Sequence, residues 1–164
     1  MLLGILSDSH GRVEPVREAA ALFKSFGVGH VVHCGDVGGI DVFEQLIEFP
    51  LSFVWGNCDE HDAGTAAFLA TAGVSTPQSL PVKRAWDGAS IGVCHGHERE
   101  FQTALRDAAF TYLFHGHTHE RRDERVRGMR VINPGALHRA ARRTVATLDT
   151  STDRLDFHDI GVRR

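Results

Sequence analysis

Leu2-Leu3-Gly4-Ile5-Leu6-Ser7-Asp8-Ser9-His10-Gly11 is an apolar run that stops at a carboxylate and an imidazole two residues apart. An apolar run this short reads as a buried strand. Asp8 and His10, leaving its end, can turn an oxygen and a nitrogen toward one cation. The same event recurs four more times. His30-Val31-Val32-His33 ends in Cys34-Gly35-Asp36-Val37-Gly38-Gly39, and Leu51-Ser52-Phe53-Val54-Trp55 ends in Gly56-Asn57-Cys58-Asp59. Ala89 to Cys94 delivers His95-Gly96-His97, and Tyr112-Leu113-Phe114 leads into His115-Gly116-His117-Thr118-His119. In a mostly parallel sheet, functional groups collect beyond the carboxyl ends of the strands, and all five clusters take that place.

The segments between these strands read as helices in the first half and hairpins in the second. Val16, Ala19, Ala20 and Phe23 fall at i, i+3, i+4 and i+7, one apolar helical face, with Pro15 suited to the first turn and Gly27 and Gly29 closing it. Phe43, Leu46 and Ile47 begin a second helical pattern that stops at Pro50, and Phe101, Ala104, Leu105 and Ala108 form a third. His61 to Leu80 is expected to hold a short helix and a loop. Asp87-Gly88 favours a tight β-turn between Pro81–Trp86 and Ala89–Cys94. Further antiparallel pairs are expected where Arg121–Arg127 turns at Gly128 into Met129–Asn133, and where Arg143–Leu148 turns near Ser151 into Leu155–Phe157. Periodicity alone thus gives an α/β domain with an antiparallel end.

At 164 residues, 42% apolar and 24% charged, the chain has the size of one globular domain over 1–164. A formal charge of −3 gives no strong nucleic-acid signal and no pull toward anionic membrane. Cys34, Cys58 and Cys94 form no C-x-x-C pair, so neither a disulfide framework nor a thiolate zinc site is expected, and a reducing cytoplasm fits. The opening apolar run lacks a basic leader, and no stretch approaches the roughly 20 apolar residues of a membrane span.

Eleven histidines are the unusual count, five of them within His95–His119. Two divalent ions about 3.5–4 Å apart need terminal ligands for each and a carboxylate able to serve both. Asp8, His10, Asp36, Asn57, His95, His117 and His119 supply such a set. Glycines at 35, 56, 96 and 116 each adjoin a proposed ligand and let the backbone come close. Nitrogen and oxygen donors without thiolate suit transition ions, Mn first, with Fe, Ni, Co or Zn also compatible, better than an all-oxygen Mg or Ca cage.

The ordered series D-S-H, G-D-V-G-G, G-N-C-D, H-G-H and G-H-T-H, followed by Asn133-Pro134-Gly135-Ala136, resembles the calcineurin-like metallophosphoesterases, above all their small YfcE-like phosphodiesterase branch. The resemblance runs from Ser7 to about Gly135. It implies two mixed β-sheets packed face to face between outer helices. It also implies that Asp8, His10, Asp36 and His119 hold one metal, that Asp36, Asn57, His95 and His117 hold the other, and that Asp36 bridges. The activity implied is hydrolysis of a small phosphoester by a hydroxide bridging two metals. Two positions depart from the pattern. Cys58 stands where many wider relatives carry a histidine that protonates the leaving group, and Ala136 replaces the serine of N-P-G-S.

Asp36, Asn57, His97 and Asp59 are the candidates for catalytic roles. His97 would contact phosphate or donate a proton, against simple packing beside the site; Asp59 would hydrogen-bond a ligand histidine, against capping a helix near His61. Cys58 reads as a small buried residue, and His30, His33, His61, His138 and His158 as structural. The arginines at 121, 122, 125, 127 and 130 and at 139, 142 and 143, some interleaved with Asp123 and Glu124, read as a solvated face more than an anion-binding one. Two other functions compete: a protein-interaction scaffold on the same fold, like the small retromer subunit, and a metallo-β-lactamase-type hydrolase. The latter needs H-x-H-x-D-H where this chain has His119-Glu120, and it leaves Asp8, His10 and Asp36 without a task. Self-association is left open.

Overall fold

The computed structural model describes residues 1–161. The elements run β1 (Leu2–Leu6), α1 (Val13–Phe26), β2 (His30–His33), α2 (Ile40–Glu44), β3 (Leu51–Phe53), α3 (Ala63–Thr71), β4 (Val82–Trp86), β5 (Ala89–Val93), α4 (Arg99–Asp107), β6 (Tyr112–Phe114), β7 (Arg121–Val126), β8 (Met129–Pro134), β9 (Thr144–Asp149) and β10 (Arg154–Asp159). They form two five-stranded mixed sheets, ordered β10-β9-β1-β2-β3 and β4-β5-β6-β8-β7. In the first, β1, β2 and β3 are parallel; in the second, β5, β6 and β8 are. The antiparallel strands lie on the flanks, so periodicity had the strand types right but could not divide them between two sheets.

Strand alternation explains the layering. Along β1, Leu3 and Ile5 face the second sheet, where they join Val32, Val93, Phe114, Ile132 and Leu148 in a core between the sheets. Leu6 points the other way and packs with Val16, Ala19 and Phe23 of α1 and with Phe43 and Leu69. A third cluster, with Leu113 and Val131 beneath Phe101 and Ala104 of α4, covers the far side of the second sheet. The order is therefore helices, sheet, sheet, helix. Gly4 is required here: a Cβ would lie 2.9 Å from the Phe23 ring, so its absence lets α1 settle onto the sheet.

Local chemistry sets the boundaries. α1 ends at Gly27 in the left-handed conformation, φ 72°, with Val28 N–H donating to Phe23 O at 3.0 Å, as expected from the glycine pair. Asp62 begins α3 by accepting Thr65 N–H at 2.9 Å. The β4–β5 turn has φ 50° at Asp87 and 78° at Gly88, the geometry its sequence favours. The second helical pattern is shorter than its apolar spacing suggests: α2 spans Ile40–Glu44, and tight turns carry the chain from there to Pro50.

Candidate metal centre

Five parallel strands end on one side of the sandwich, and each delivers one of the polar clusters: β1, β2 and β3 from one sheet, β5 and β6 from the other. The loop after β1 is bound to the loop after β2 by backbone hydrogen bonds from Asp8 N to Gly35 O, 3.0 Å, and from His10 N to Asp36 O, 2.9 Å. Within the second sheet, Gly116 N donates to His95 O at 2.7 Å, and across the sheets His117 N donates to the Asp8 carboxylate at 3.1 Å. Two glycines make the approach feasible. A Cβ on Gly56 would fall 2.0 Å from Asp36 Oδ1, and one on Gly116 would fall 2.7 Å from Asp8 Oδ2.

The side-chain donors converge. His119 Nε2 lies 3.3 Å from Asp8 Oδ1, His10 Nε2 lies 3.5 Å from Asp36 Oδ2, and His95 Nε2 lies 3.4 Å from Asp36 Oδ2 and 4.0 Å from Asp8 Oδ1. His10 Nε2 and His119 Nε2 face each other at 3.4 Å. Two nitrogens about 2.1 Å from a shared tetrahedral cation are about 3.4 Å apart. Asp8, His10 and His119 form one compact donor group, and Asp8, Asp36 and His95 form a second.

His95 shows most directly that these donors suit a cation. Its Nδ1–H donates to Cys34 O at 2.8 Å, which leaves Nε2 with a lone pair. That nitrogen is fully buried and has no hydrogen-bond partner among the described residues, although two carboxylates lie within reach. A buried polar atom without a partner costs about 1–3 kcal/mol, and a divalent ion would remove that cost.

The electrostatics agree. Burial pushes the Asp8 carboxyl above its ordinary range, only partly opposed by His95 and His119. Burial acts the same way on Asp36, but the Cys58 N–H, His95 and His10 outweigh it and hold that carboxyl below the usual value. Desolvation lowers His10, favouring the neutral, ligating imidazole. All of this is charge organised for a cation.

The remaining predicted residues take less central places. The His117 ring is exposed, with its centroid 5.1 Å from that of His95, so it lies at the rim of the same cluster. Asn57 is also exposed, and its amide donates to Cys58 Sγ at 3.3 Å. His97 is exposed at ring distances of 5.5 Å from His95 and 5.8 Å from His117. Asp59 does neither task expected of it: its carboxylate accepts Gly38 N–H at 2.9 Å and Gly56 N–H at 2.8 Å, tying together the loops after β2 and β3, while Asp62 caps the following helix. Cys58 is exposed rather than buried, because its own N–H turns inward to Asp36 Oδ1, 2.9 Å.

Several supporting roles go beyond the sequence reading, which passed over Glu98 altogether. Glu98 is buried and accepts the N–H groups of His95 and Gly96, both at 2.6 Å, fixing the H-G-H turn. His33 accepts Gly35 N–H on Nδ1 at 3.2 Å and contacts Ser9 Oγ through Nε2 at 2.8 Å, so it clamps the first two ligand loops. Asn133 donates to Gly116 O at 2.9 Å and Thr118 Oγ1 at 3.1 Å, which holds the G-H-T-H loop. An acid three residues after a proposed ligand was the one available signal for Glu98. His138, set aside as structural, lies with its ring 5.5 Å from that of His10.

Comparison with known proteins agrees with this geometry. The profile of the calcineurin-like phosphoesterase superfamily domain matches residues 1–153. A phosphodiesterase of Methanocaldococcus jannaschii is 28% identical over 138 residues, 82% of this chain and 83% of its own length. A solved structure described as a novel archaeal phosphodiesterase superimposes with a TM-score of 0.86 at 26% identity, covering 97% of this chain and 99% of its own. Two more distant structures share the fold. The Escherichia coli phosphoesterase Yfce has a TM-score of 0.71 at 22% identity, covering 98% of this chain and all (100%) of its own. Zinc-bound Vps29 of Entamoeba histolytica has 0.69 at 18%, covering 97% and 99%.

Proposed function

This chain belongs to the calcineurin-like phosphoesterase superfamily, and from that premise we propose that it hydrolyses phosphodiesters at a centre of two divalent cations. Asp8, His10, Asp36 and His119 would hold one ion; Asp36, Asn57, His95 and His117 would hold the other, with Asp36 common to both. Mn is the first candidate and Fe, Ni, Co or Zn are alternatives, on the strength of the nitrogen and oxygen donors. When bound, such a pair polarises phosphoryl oxygens and makes water nucleophilic near neutral pH.

The chain's own contribution is position and charge. Asp8 and Asp36 supply the negative charge that retains the cations, and the buried Cys34 carbonyl fixes His95 in its ligating tautomer. His97 stands exposed beside the cluster, where it can donate a hydrogen bond to a phosphoryl oxygen. The phosphodiester preference rests on the names of the similar proteins. The single observation that carries the reading is the unpartnered His95 Nε2, aimed between two carboxylates and sharing their neighbourhood with His10 and His119.

Hydrolysis of bis-p-nitrophenyl phosphate tests it. Exhaustive chelation should abolish release of nitrophenol and Mn should restore it; undiminished activity after chelation would overturn the proposal. The scaffold reading draws on the fold shared with Vps29. It predicts metal uptake without turnover of any phosphoester in a broad panel, whereas the hydrolase reading predicts turnover that follows metal content.

A further inference from the structure

A cavity of about 330 Å³ opens directly beside the donor cluster, lined by Trp55, Gly56, His61, Pro77, Leu80 and His97 among others. Two of these tie it to the centre. Gly56 lies against Asp36, and the His97 ring lies 5.5 Å from that of His95. Anything filling the cavity while a phosphoryl group sits on the donor cluster is therefore close enough to be one of that phosphate's own ester arms.

The lining specifies the chemistry of that arm. Trp55 and His61 lie 4.8 Å apart at an interplanar angle of 34° and form an aromatic wall. The wall is braced by Phe53, centroid 4.8 Å from Trp55 at 84°, and by Phe43 at 6.0 Å and 87°, so the indole is not free to swing away. Pro77 and Leu80 add apolar surface. Glu98 is the one carboxylate in the lining, and both of its oxygens are engaged by backbone N–H groups, so the cavity offers little to attract a cationic arm. The volume lies near the lower end of the roughly 300–1,000 Å³ found for small-molecule sites, which suits one ring system rather than a length of polymer.

We propose that this cavity is a subsite for the planar aromatic ring, aryl or nucleobase, of one ester group of the substrate. The proposal rests on the phosphoesterase reading for the placement of phosphorus, and it adds the substrate class. Rings stacked on protein aromatics bind more tightly than aliphatic groups, so an aromatic monophosphate should bind the Mn-loaded protein about tenfold tighter than an aliphatic one.

Calorimetric titration of the full-length, Mn-loaded protein with inorganic phosphate, methyl phosphate, phenyl phosphate and uridine monophosphate reads this without requiring turnover. Phenyl phosphate is expected to bind about tenfold tighter than methyl phosphate. A plug on the exposed loop, Ser79→Trp, should erase the difference while leaving inorganic phosphate affinity and metal content unchanged, and His61→Ala should reduce the difference in part. Uridine monophosphate sharing the preference places a nucleobase in the cavity; uridine binding like methyl phosphate restricts it to simple aryl esters. Equal affinity for phenyl and methyl phosphate, or a preference that survives Ser79→Trp, overturns the subsite and leaves the hydrolase reading standing. Ring preference without turnover of bis-p-nitrophenyl phosphate overturns the hydrolase reading and leaves the subsite.

Discussion

Backbone strain is concentrated where donor atoms are needed. Of ten non-glycine residues with positive φ among the described residues, five are proposed ligands: Asp8, His10, Asp36, His117 and His119. Such conformations cost on the order of 1–3 kcal/mol each and persist where the surroundings over-determine them. Here the strain turns each side chain back over the strand ends. Replacing Asp36 by Asn should lower metal occupancy and hydrolysis together, because the shared carboxylate charge is lost; elemental analysis beside a rate measurement checks this, and loss of rate with full occupancy would assign Asp36 a different role. Glu98→Gln presents an amide NH₂ to one of the two N–H groups the carboxylate now accepts. It should weaken metal binding about 10–100-fold, the usual effect of disturbing a group that orients a ligand, read by competition with a chelating dye. The proposed ligands were legible as candidates in the sequence because metal chemistry restricts residue type. The anchoring roles of Glu98, His33 and Asp59 were not, because their partners are backbone N–H groups whose direction only the folded turns define.

At the level of elements, apolar runs and turn residues located every parallel strand that carries a cluster, since both signals are local. What they could not supply was the division into two sheets. β4–β5 and β7–β8 look like one antiparallel end in sequence, yet β5, β6 and β8 form a second parallel core facing the first. Only the family resemblance anticipated that sandwich, and the fold bears it out. The fit of α1 on β1 turns on one atom: the Cβ introduced by Gly4→Ala would lie 2.9 Å from the Phe23 ring, and Phe23 is wholly buried. Overpacking of this kind costs typically about 1–3 kcal/mol. Urea unfolding should therefore show a lower midpoint with an unchanged slope, whereas an unaltered midpoint would mean that α1 can shift without loss.

For the whole molecule, buried imidazoles make stability depend on pH. Burial holds His33 neutral down to about 3 and His115 down to about 4, against 6.5 when unfolded. Between those values the unfolded chain binds protons that the folded chain refuses, so stability is fully present above about 6.5 and is lost as pH falls toward 4, by at most about 1.4 kcal/mol per unit per group. The raised Asp8 carboxyl works in the opposite direction, since the folded state takes up that proton first. Urea midpoints of metal-stripped protein should accordingly fall between pH 7 and pH 4.5, and less steeply in His33→Asn; equal slopes in the two proteins would show that His33 is not the group responsible. Phosphoester hydrolysis as proposed requires residues from Asp8 to His119 to meet around a pair of cations. Equilibrium dialysis of the purified chain against Mn, followed by elemental analysis, reads that directly: saturation at two ions per chain is the predicted result, and saturation at one or none would contradict it.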